Sequence, residues 1–278
     1  MQSSGKYRKF IFERATAGFL LEEVQNMTTA SHPTDSTNRG DAQICRGCWD
    51  QMRVPIPIRG ALALPFRMFG VTRSKMNPNI CTICERSFRY VKKQRHVTAS
   101  ATILFADIRG FTALSEQIEP VRLSEIVSLF QDRCAQAIWA HDGIVNKQMG
   151  DGLMAIFNFP IVRQDHAAAA VMAAMDIQRH CRSAFENLEA DHGLGVGVGI
   201  HSGEVEIGEF SSFRSDFTAI GGAVNLAARL ESQARAGEIV MSPETTTQAA
   251  HLTSEAQSRS LVLKGIEQPV EARVLTTA

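Results

Sequence analysis

Residues 102–112 read TILFADIRGFT, and the rest of the chain is organised around them. The apolar run that ends at Ala106 predicts a buried strand, and Asp107 is the acid at its end. Gly110 predicts a turn that leads into a helix. An acid at the end of a buried strand, beside the free N–H groups of a helix start, can hold a metal ion and a phosphate group together. This segment therefore predicts a binding site at the strand end.

The composition is that of a globular protein with room for a second, smaller unit. The chain has 278 residues, of which 44% are hydrophobic and 21% are charged. Its longest apolar run, 167–175, is shorter than the ~18 residues that span a bilayer. The N-terminus lacks the layout of a signal peptide. We therefore expect a cytoplasmic protein with no transmembrane segment.

Residues 1–40 predict an N-terminal helix followed by a flexible linker. Apolar residues recur at near-helical spacing from Phe10 to Val24, which predicts an amphipathic helix that packs on another surface or on a second copy of the chain. A helix lying on a membrane is less favoured, because Glu13, Glu22 and Glu23 offset the basic residues. Residues 28–40 are rich in Ser, Thr, Asn, Pro and Gly, as is typical of linkers.

Residues 41–97 predict a small unit built on two Cys-x-x-Cys pairs. The pairs are Cys45 with Cys48 and Cys81 with Cys84, separated by 32 residues. Four thiolates from two such turns can complete a tetrahedral Zn²⁺ site, and the metal would then supply much of the folding free energy. An iron–sulfur cluster, a redox pair or unliganded cysteines remain open alternatives. The other two cysteines, at positions 134 and 181, are expected to be buried in helices.

The second Cys pair is followed by a basic connector. Residues 39–96 carry 12 Lys and Arg against 3 Asp and Glu, whereas residues 97–278 carry 13 against 22. This asymmetry favours a basic unit that docks on the acidic half. Nucleic-acid binding is not expected, because the basic residues of the connector have little aromatic interleaving beyond Phe88 and Tyr90.

From residue 98 onward strands alternate with helices. Strands are predicted at 102–107, 194–201 and 204–208, a hairpin at 143–157, a protruding arm at 211–215, helices at 120–140, 165–189 and 221–233, and a final strand–helix–strand–strand section that ends near Leu275. Alternating glycines in 193–199 predict a strand that packs closely on a neighbour rather than a dinucleotide-binding loop. This mixed order with hairpin connections favours an α+β fold.

Asp107 and Asp151 are the two acids most suited to chemistry. Asp107 ends a predicted strand, and Asp151 lies in the turn of the predicted hairpin. Each acid taken alone is typical of a turn or a helix cap. If the strand lies beside the hairpin, both carboxylates enter one cleft, where they suit one or two Mg²⁺ or Mn²⁺ ions that bridge to phosphates.

Three blocks of sequence together resemble the class III nucleotidyl cyclases. The blocks are 105–112 (FADIRGFT), 147–152 (KQMGDG) and 217–231 (FTAIGGAVNLAARLE), and they follow one another in the family's order. The resemblance covers about residues 98–278. It implies a catalytic domain with a ferredoxin-like βαββαβ core, and a reaction in which ATP becomes 3′,5′-cyclic AMP and pyrophosphate.

The resemblance also implies a role for each matching residue. Asp107 and Asp151, with the backbone carbonyl of Ile108, would hold two Mg²⁺ or Mn²⁺ ions. The other implied roles are phosphate binding by the N–H groups of Gly110, Phe111 and Thr112, ribose orientation by Asn225, charge stabilisation at the transferring phosphoryl group by Arg229, and binding of the terminal phosphates by Lys264. Arg109 is expected to be a surface residue.

Base selection would rest on Lys147 and Thr218. A Lys donor and a Thr hydroxyl can satisfy the adenine edge, whereas guanine would need a carboxylate from the enzyme. The pair resembles the class IIIb adenylate cyclases, although Gly222 departs from the Asp that often occupies its position. A guanylate cyclase is one alternative. Another is a catalytically silent cyclase-like sensor with a metal-binding module that binds nucleic acid or protein.

The resemblance further implies a homodimer. In this family the metal-binding residues of one site come from one subunit, and the residues that bind the base, the ribose and the terminal phosphates come from the other. A single chain that carries both sets would therefore need a second copy to complete its two equivalent sites.

Overall fold

The structure is a computed structural model that describes residues 43–85, 97–186, 193–210 and 217–277. The predicted N-terminal helix and linker of residues 1–40, the basic connector at 86–96 and the arm at 211–215 lie outside the described residues.

Seven helices and eight strands are named in order along the described chain. The helices are α1 (Arg46–Met52), α2 (Ala63–Met68), α3 (Phe111–Ser115), α4 (Pro120–Ala140), α5 (His166–Glu186), α6 (Gly222–Ser232) and α7 (Pro243–Gln248). The strands are β1 (Val97–Arg109), β2 (Ile144–Met149), β3 (Gly152–Phe157), β4 (Gly195–Glu209), β5 (Phe217–Ile220), β6 (Glu238–Met241), β7 (Gln257–Leu261) and β8 (Val270–Thr276). A short 3₁₀ helix, Ala250–Leu252, follows α7.

The strands form one sheet in the order β2-β3-β1-β4-β6-β8-β7, with β5 paired to β4. The first four of these strands are antiparallel neighbours, and α4 and α5 connect β1 to β2 and β3 to β4. This arrangement is the predicted ferredoxin-like βαββαβ core in an α+β fold. The strand β6 then runs parallel to β4, and β8 and β7 extend the sheet as an antiparallel pair.

Two strands are longer than the sequence predicts. The strand β1 begins five residues before the predicted start, and β4 is continuous where two pieces were expected. The two strands pair along their whole length, from Val97 opposite Ile207 to Arg109 opposite Gly195. Polar residues such as Thr98 and Ser202 interrupt the apolar pattern there, so the ladder of backbone hydrogen bonds, rather than hydrophobicity, defines the strand ends.

The two faces of the sheet pack against different partners. On β1, Leu104, Ala106 and Ile108 share a buried core with α4 and α5. Ile103 and Phe105 point to the other face and share a core with α6 and with the unit that carries the four cysteines. Because side chains alternate along a strand, Asp107 lies on this second face. The cysteine unit and α6 therefore flank the face that carries the candidate site.

None of the helices within the described ranges is both long and apolar enough to cross a membrane.

Candidate active site

The end of β1 brings Asp107 and Asp151 together. Asp107 is the cross-strand partner of Gly152, and Asp151 is the residue just before Gly152 in the turn between β2 and β3. The backbone N–H of Ile108 donates to the carbonyl oxygen of Asp151 at 3.2 Å, which fixes the turn beside the strand end. The predicted pairing of strand and hairpin is therefore present, with both acids at the same end of the neighbouring strands β1 and β3.

The electrostatics around Asp107 suit a divalent cation. Burial, followed by the negative charges of Asp151 and Glu231, raises the pKa of Asp107 to about 6, although the guanidinium of Arg109 opposes the shift. Hard cations such as Mg²⁺ prefer carboxylate oxygens and would offset this repulsion. The residues present thus fit the Mg²⁺ or Mn²⁺ ions that the resemblance implies.

Arg109 is not the surface residue that the sequence predicts. Its side chain is only 25% exposed, and its Nη1 donates to Oδ2 of Asp107 at 2.9 Å. Its Nε donates to the carbonyl oxygen of Ala234 at 2.8 Å, and its Nη2 pairs with the carboxylate of Glu231. The side chain lies across Gly197, where any Cβ would overlap the guanidinium. Arg109 therefore links the end of β1 to the end of α6.

This contact explains part of the glycine alternation in β4. Gly199 lies against the backbone of α6, and Gly195 lies against Ala236. The predicted reason for these glycines, close packing of the strand on a neighbouring element, is confirmed. In the sequence, this glycine alternation was the signal that a side chain such as that of Arg109 packs over β4.

The turn after β1 has the backbone form of a helix start. Gly110 adopts a φ of 85°, in the left-handed region that favours glycine, and precedes α3. Phe111 is half-buried, and Thr112 is exposed. The first N–H groups of a helix have no partner within the helix. The backbone N–H groups of residues 110–112 lie at this helix start, as the predicted phosphate site requires.

One of the two predicted base-selecting residues, Thr218, contacts the residue that precedes the other, Lys147. Thr218 on β5 is only 7% exposed, and its hydroxyl donates to Oδ1 of Asn146 at 3.0 Å. Asn146 immediately precedes Lys147, which is exposed on β2. The pairing of β2 with β3 is irregular between Val145 and Lys147. The structure therefore places Thr218 beside Asn146, the residue that leads into Lys147, and no local pattern in the sequence marks Asn146 as part of the site.

The predicted ribose and phosphate residues lie on α6 and on the turn after β7. Asn225 is exposed on α6. The guanidinium of Arg229 lies close to Gly265, where a Cβ would be 3.3 Å from Nη2, and Lys264 is the exposed neighbour of that glycine. Residues two positions apart on a helix do not share a face. Since Glu231 is paired with Arg109 near Asp107, Arg229 is directed to a different side of α6.

The four predicted zinc ligands converge in the N-terminal unit. The Sγ atoms of Cys45 and Cys84 are 3.6 Å apart, those of Cys48 and Cys81 3.5 Å, and those of Cys48 and Cys84 3.4 Å. All four atoms lie within 4.8 Å of one another, and all four residues are buried. A tetrahedral site with metal–sulfur bonds of about 2.3 Å separates its sulfurs by about 3.8 Å. The cluster therefore has nearly the dimensions of a single-ion site.

Backbone hydrogen bonds in the cluster agree with a metal site. The backbone N–H groups of Cys48 and Cys81 donate to Sγ of Cys45 at 3.4 and 3.1 Å. The neighbouring thiols, Cys45 first, raise the pKa of Cys48 above its usual range and lower that of Cys81. The short distances between the four sulfurs, with backbone N–H donors to one of them, suit a bound cation.

The cysteine unit contacts the segment that leads into β2. The indole Nε1 of Trp139 donates to the carbonyl oxygen of Met76 at 2.6 Å, and the N–H of Val145 donates to the same oxygen at 3.2 Å. The amide of Asn77 donates to the carbonyl oxygen of Gly143 at 2.8 Å. Arg46 forms a buried ion pair with Asp142. These contacts hold both ends of the turn between α4 and β2.

The chain matches the family model described as the adenylate and guanylate cyclase catalytic domain over residues 91–274. It is 34% identical to an adenylate cyclase from Anabaena cylindrica over 158 residues, which are 56% of this chain and 31% of that protein. The chain thus spans about a third of that relative's length.

Solved structures show the same fold. The adenylyl cyclase CyaB from P. aeruginosa is 30% identical with a TM-score of 0.60, and the match covers 66% of this chain and 97% of that one. The guanylyl cyclase Cya2 is also 30% identical, with a TM-score of 0.59 and coverage of 65% and 93%.

Proposed function

The chain belongs to the adenylate and guanylate cyclase catalytic domain family, and we propose that it converts ATP to 3′,5′-cyclic AMP and pyrophosphate. The observation that carries the proposal is the meeting of Asp107 and Asp151 at the end of β1, in the cyclase fold. Similarity to an adenylate cyclase from Anabaena cylindrica and to the adenylyl cyclase CyaB supports the reaction class.

The proposed reaction is an attack of the substrate on itself. The ribose 3′-oxygen forms a bond to the α-phosphorus and loses its proton, while the bond between the α-phosphorus and the bridging oxygen breaks and pyrophosphate leaves. Two Mg²⁺ or Mn²⁺ ions, when bound, lower the pKa of the 3′-hydroxyl and offset the charge of the triphosphate. Asp107, Asp151 and the carbonyl of Ile108 would hold them. No nucleophilic side chain is needed.

The remaining residues position the substrate and stabilise developing charge. The N–H groups of Gly110, Phe111 and Thr112 bind phosphate oxygens at the start of α3. Asn225 orients the ribose, and Arg229 stabilises the charge on the transferring phosphoryl group. Lys264 binds the terminal phosphates. It precedes Gly265, which lies against the guanidinium of Arg229, so the two cations are close enough to act on one triphosphate.

The choice of ATP rests on Lys147 and Thr218. Lysine can only donate hydrogen bonds, whereas the threonine oxygen can accept one, and this combination fits N1 and the N6 amino group of adenine. A guanylate cyclase is the second candidate, because the chain is as similar to the guanylyl cyclase Cya2 as to CyaB. Among Lys147, Asn146 and Thr218 there is no carboxylate for guanine.

The active form in this proposal is a homodimer. Within one chain Glu231 is directed toward the acids through Arg109, and Arg229 is directed to another side of α6, toward Gly265. Within one chain Asp107 and Arg229 therefore do not face the same site. A second copy related by a two-fold axis would bring the Arg229 of one chain to the Asp107 of the other, and would do so twice.

The four-cysteine cluster is proposed to hold one structural Zn²⁺. The separations of 3.4 to 3.6 Å are too long for disulfides, whose sulfurs are about 2 Å apart. A cluster with several irons bonds its thiolates to different metal atoms, which needs a wider spacing than one shared ion. Buried thiolates in a tetrahedral set favour zinc.

The experiment that tests the proposed chemistry is removal of one acid. Asp107→Asn keeps the size of the side chain but removes its charge, so cyclic AMP formation should fall to background while the circular dichroism spectrum is unchanged. Asp132→Asn, at an exposed position of α4, is the matched control and should retain activity. Activity that survives in the Asp107→Asn variant would refute the metal-binding role.

A further inference from the structure

We infer that Asn146 determines the base specificity of the enzyme, because it fixes the direction of the Thr218 hydroxyl so that its oxygen accepts a hydrogen bond from adenine. The inference deepens the proposed function and rests on it, since it concerns the residues that would contact the base. It assigns a role to a side chain outside the residues already matched to the family.

The hydrogen-bond partners of Thr218 decide the direction of its hydroxyl. A hydroxyl carries one hydrogen and two lone pairs. Two acceptors lie near that hydrogen, Oδ1 of Asn146 at 3.0 Å and the carbonyl oxygen of Ala219 at 3.3 Å. The shorter bond uses the hydrogen within the protein. The Thr218 oxygen is left with lone pairs, and a base can meet it only as a donor.

The backbone at Asn146 is fixed by the irregular pairing of β2 and by a hydrogen bond of the preceding residue. It lies at the irregularity of β2 between Val145 and Lys147, and such irregularities redirect side chains along a strand. The N–H of Val145 is bound to the carbonyl oxygen of Met76 in the cysteine unit. Asn146 thus lies between Val145, which is bound to the cysteine unit, and Lys147, the proposed base-binding residue.

The two purines present opposite patterns to such a pair. Adenine offers an acceptor at N1 and donor hydrogens at N6, which match a lysine donor and a threonine acceptor. Guanine offers an acceptor at O6 and a donor at N1. Its O6 would face the lone pairs of Thr218, and its N1–H would face the ammonium group of Lys147. Without Asn146 the hydroxyl hydrogen keeps only the longer contact with the carbonyl oxygen of Ala219 at 3.3 Å, so it can turn to donate to O6 and tolerate guanine.

The test compares two uncharged substitutions that differ in whether they offer Thr218 an acceptor. Asn146→Ala removes the acceptor, and Asn146→Gln keeps an amide oxygen that can accept without adding a carboxylate for guanine. We expect Asn146→Ala to lower the ratio of kcat/KM for ATP to that for GTP by about tenfold. Asn146→Gln should keep the ratio within about threefold of wild type. Gln148→Ala, on the same exposed strand, is the matched control and should leave the ratio unchanged.

A purely structural role for Asn146 would lower turnover of both nucleotides and leave their ratio unchanged. In a Thr218→Val background, where the hydroxyl is absent, Asn146→Ala should have no further effect on the ratio. An unchanged ratio in Asn146→Ala, or an equal loss of selectivity in Asn146→Gln, would overturn the inference while the proposed cyclase activity stood.

Binding of 3′-deoxy-ATP and 3′-deoxy-GTP separates this inference from the proposed function. These analogues lack the attacking hydroxyl, so their dissociation constants report base selection without turnover. If the wild-type protein formed no cyclic nucleotide, the proposed function would fail. The Asn146 inference would still be supported by a loss of selective 3′-deoxy-ATP binding in Asn146→Ala, and refuted by unchanged selectivity.

Discussion

Asp107 on β1 and Gly152 on β3 are direct cross-strand partners, and a Cβ atom at position 152 would lie 2.8 Å from Oδ1 of Asp107. The same atom would lie 3.3 Å from the carbonyl oxygen of Ala106. The glycine therefore leaves the space that the Asp107 carboxylate occupies. This explains why a glycine stands opposite Asp107 on β3, directly after Asp151.

Gly152→Ala should displace the Asp107 carboxylate without unfolding the sheet. We expect cyclic AMP formation to fall by about a hundredfold, because small misplacements of a catalytic group have effects of that size. The Mn²⁺ affinity, measured by electron paramagnetic resonance, should weaken in parallel. Gly222→Ala is the control, since a Cβ there meets no atom within 4 Å and should leave Mn²⁺ affinity unchanged. Normal Mn²⁺ affinity in Gly152→Ala would contradict this account of the site.

Replacement of one of the four proposed zinc ligands should release the metal and destabilise the chain. Wild-type protein should contain one zinc per chain by mass spectrometry, and Cys48→Ser should contain far less. Because the metal supplies folding free energy, the melting temperature should fall by at least about 5 °C. Cyclase activity should fall as well, since Met76 of this unit binds Val145 at the start of β2.

Cys181→Ala is the control for loss of a buried thiol. Cys181 is buried in α5, away from the cluster, so this variant should be less stable and still retain its zinc. Wild-type protein purified without zinc, or with iron in its place, would refute the zinc assignment.

Two buried histidines predict a loss of stability in acid. Burial lowers the pKa of His166 and of His201 below the ordinary value of 6.5. The unfolded chain therefore binds protons at these positions before the folded chain does. Their contribution to stability is complete above pH 6.5 and is lost as the pH falls from there toward the lowered pKa values of the folded state.

The two histidines should accordingly lower the urea midpoint of unfolding at pH 5.5 relative to pH 7.5, while Asp107, with its pKa raised to about 6, contributes in the opposite direction. His166→Gln should reduce this difference, because glutamine does not titrate, although loss of the 2.7 Å bond to Thr102 will lower stability at both pH values. His251→Gln, at an exposed position, should leave the difference unchanged. The same pH dependence in His166→Gln and wild type would exclude His166 as a cause.

A shared active site predicts complementation between two inactive chains. Asp107→Ala and Arg229→Ala should each be inactive alone. A heterodimer of the two would contain one intact site, so an equal mixture should recover about a quarter of wild-type activity by random pairing. Size-exclusion chromatography should show that both variants are dimers. Dimeric variants whose mixture stays inactive would count against sites shared between subunits.

The sequence predicted the parts of the fold that depend on local patterns. The apolar run before Asp107, the glycine turn at Gly110 and the periodicity of α4 each specify their own element, and the structure has all three. The spacing of Cys45 with Cys48 and of Cys81 with Cys84 likewise predicted a cluster, which the structure assembles.

The contacts that the sequence did not predict join distant segments. Arg109 meets Glu231 across 122 positions of the chain, and Thr218 meets Asn146 across 72. Nothing in the local pattern of either residue indicates its partner, because the sheet register and the packing of α6 bring them together. The extension of β1 to Val97 has the same cause, since its partner is the distant strand β4.

Turnover of ATP and GTP by the wild-type protein, measured side by side with Mg²⁺ and with Mn²⁺, tests the central claim most directly. We predict formation of 3′,5′-cyclic AMP and pyrophosphate in equal amounts, with a kcat/KM for ATP at least about tenfold above that for GTP. Equal or better use of GTP would contradict the assignment of Lys147 and Thr218 to adenine. Formation of neither cyclic nucleotide with either metal would contradict the proposed function itself.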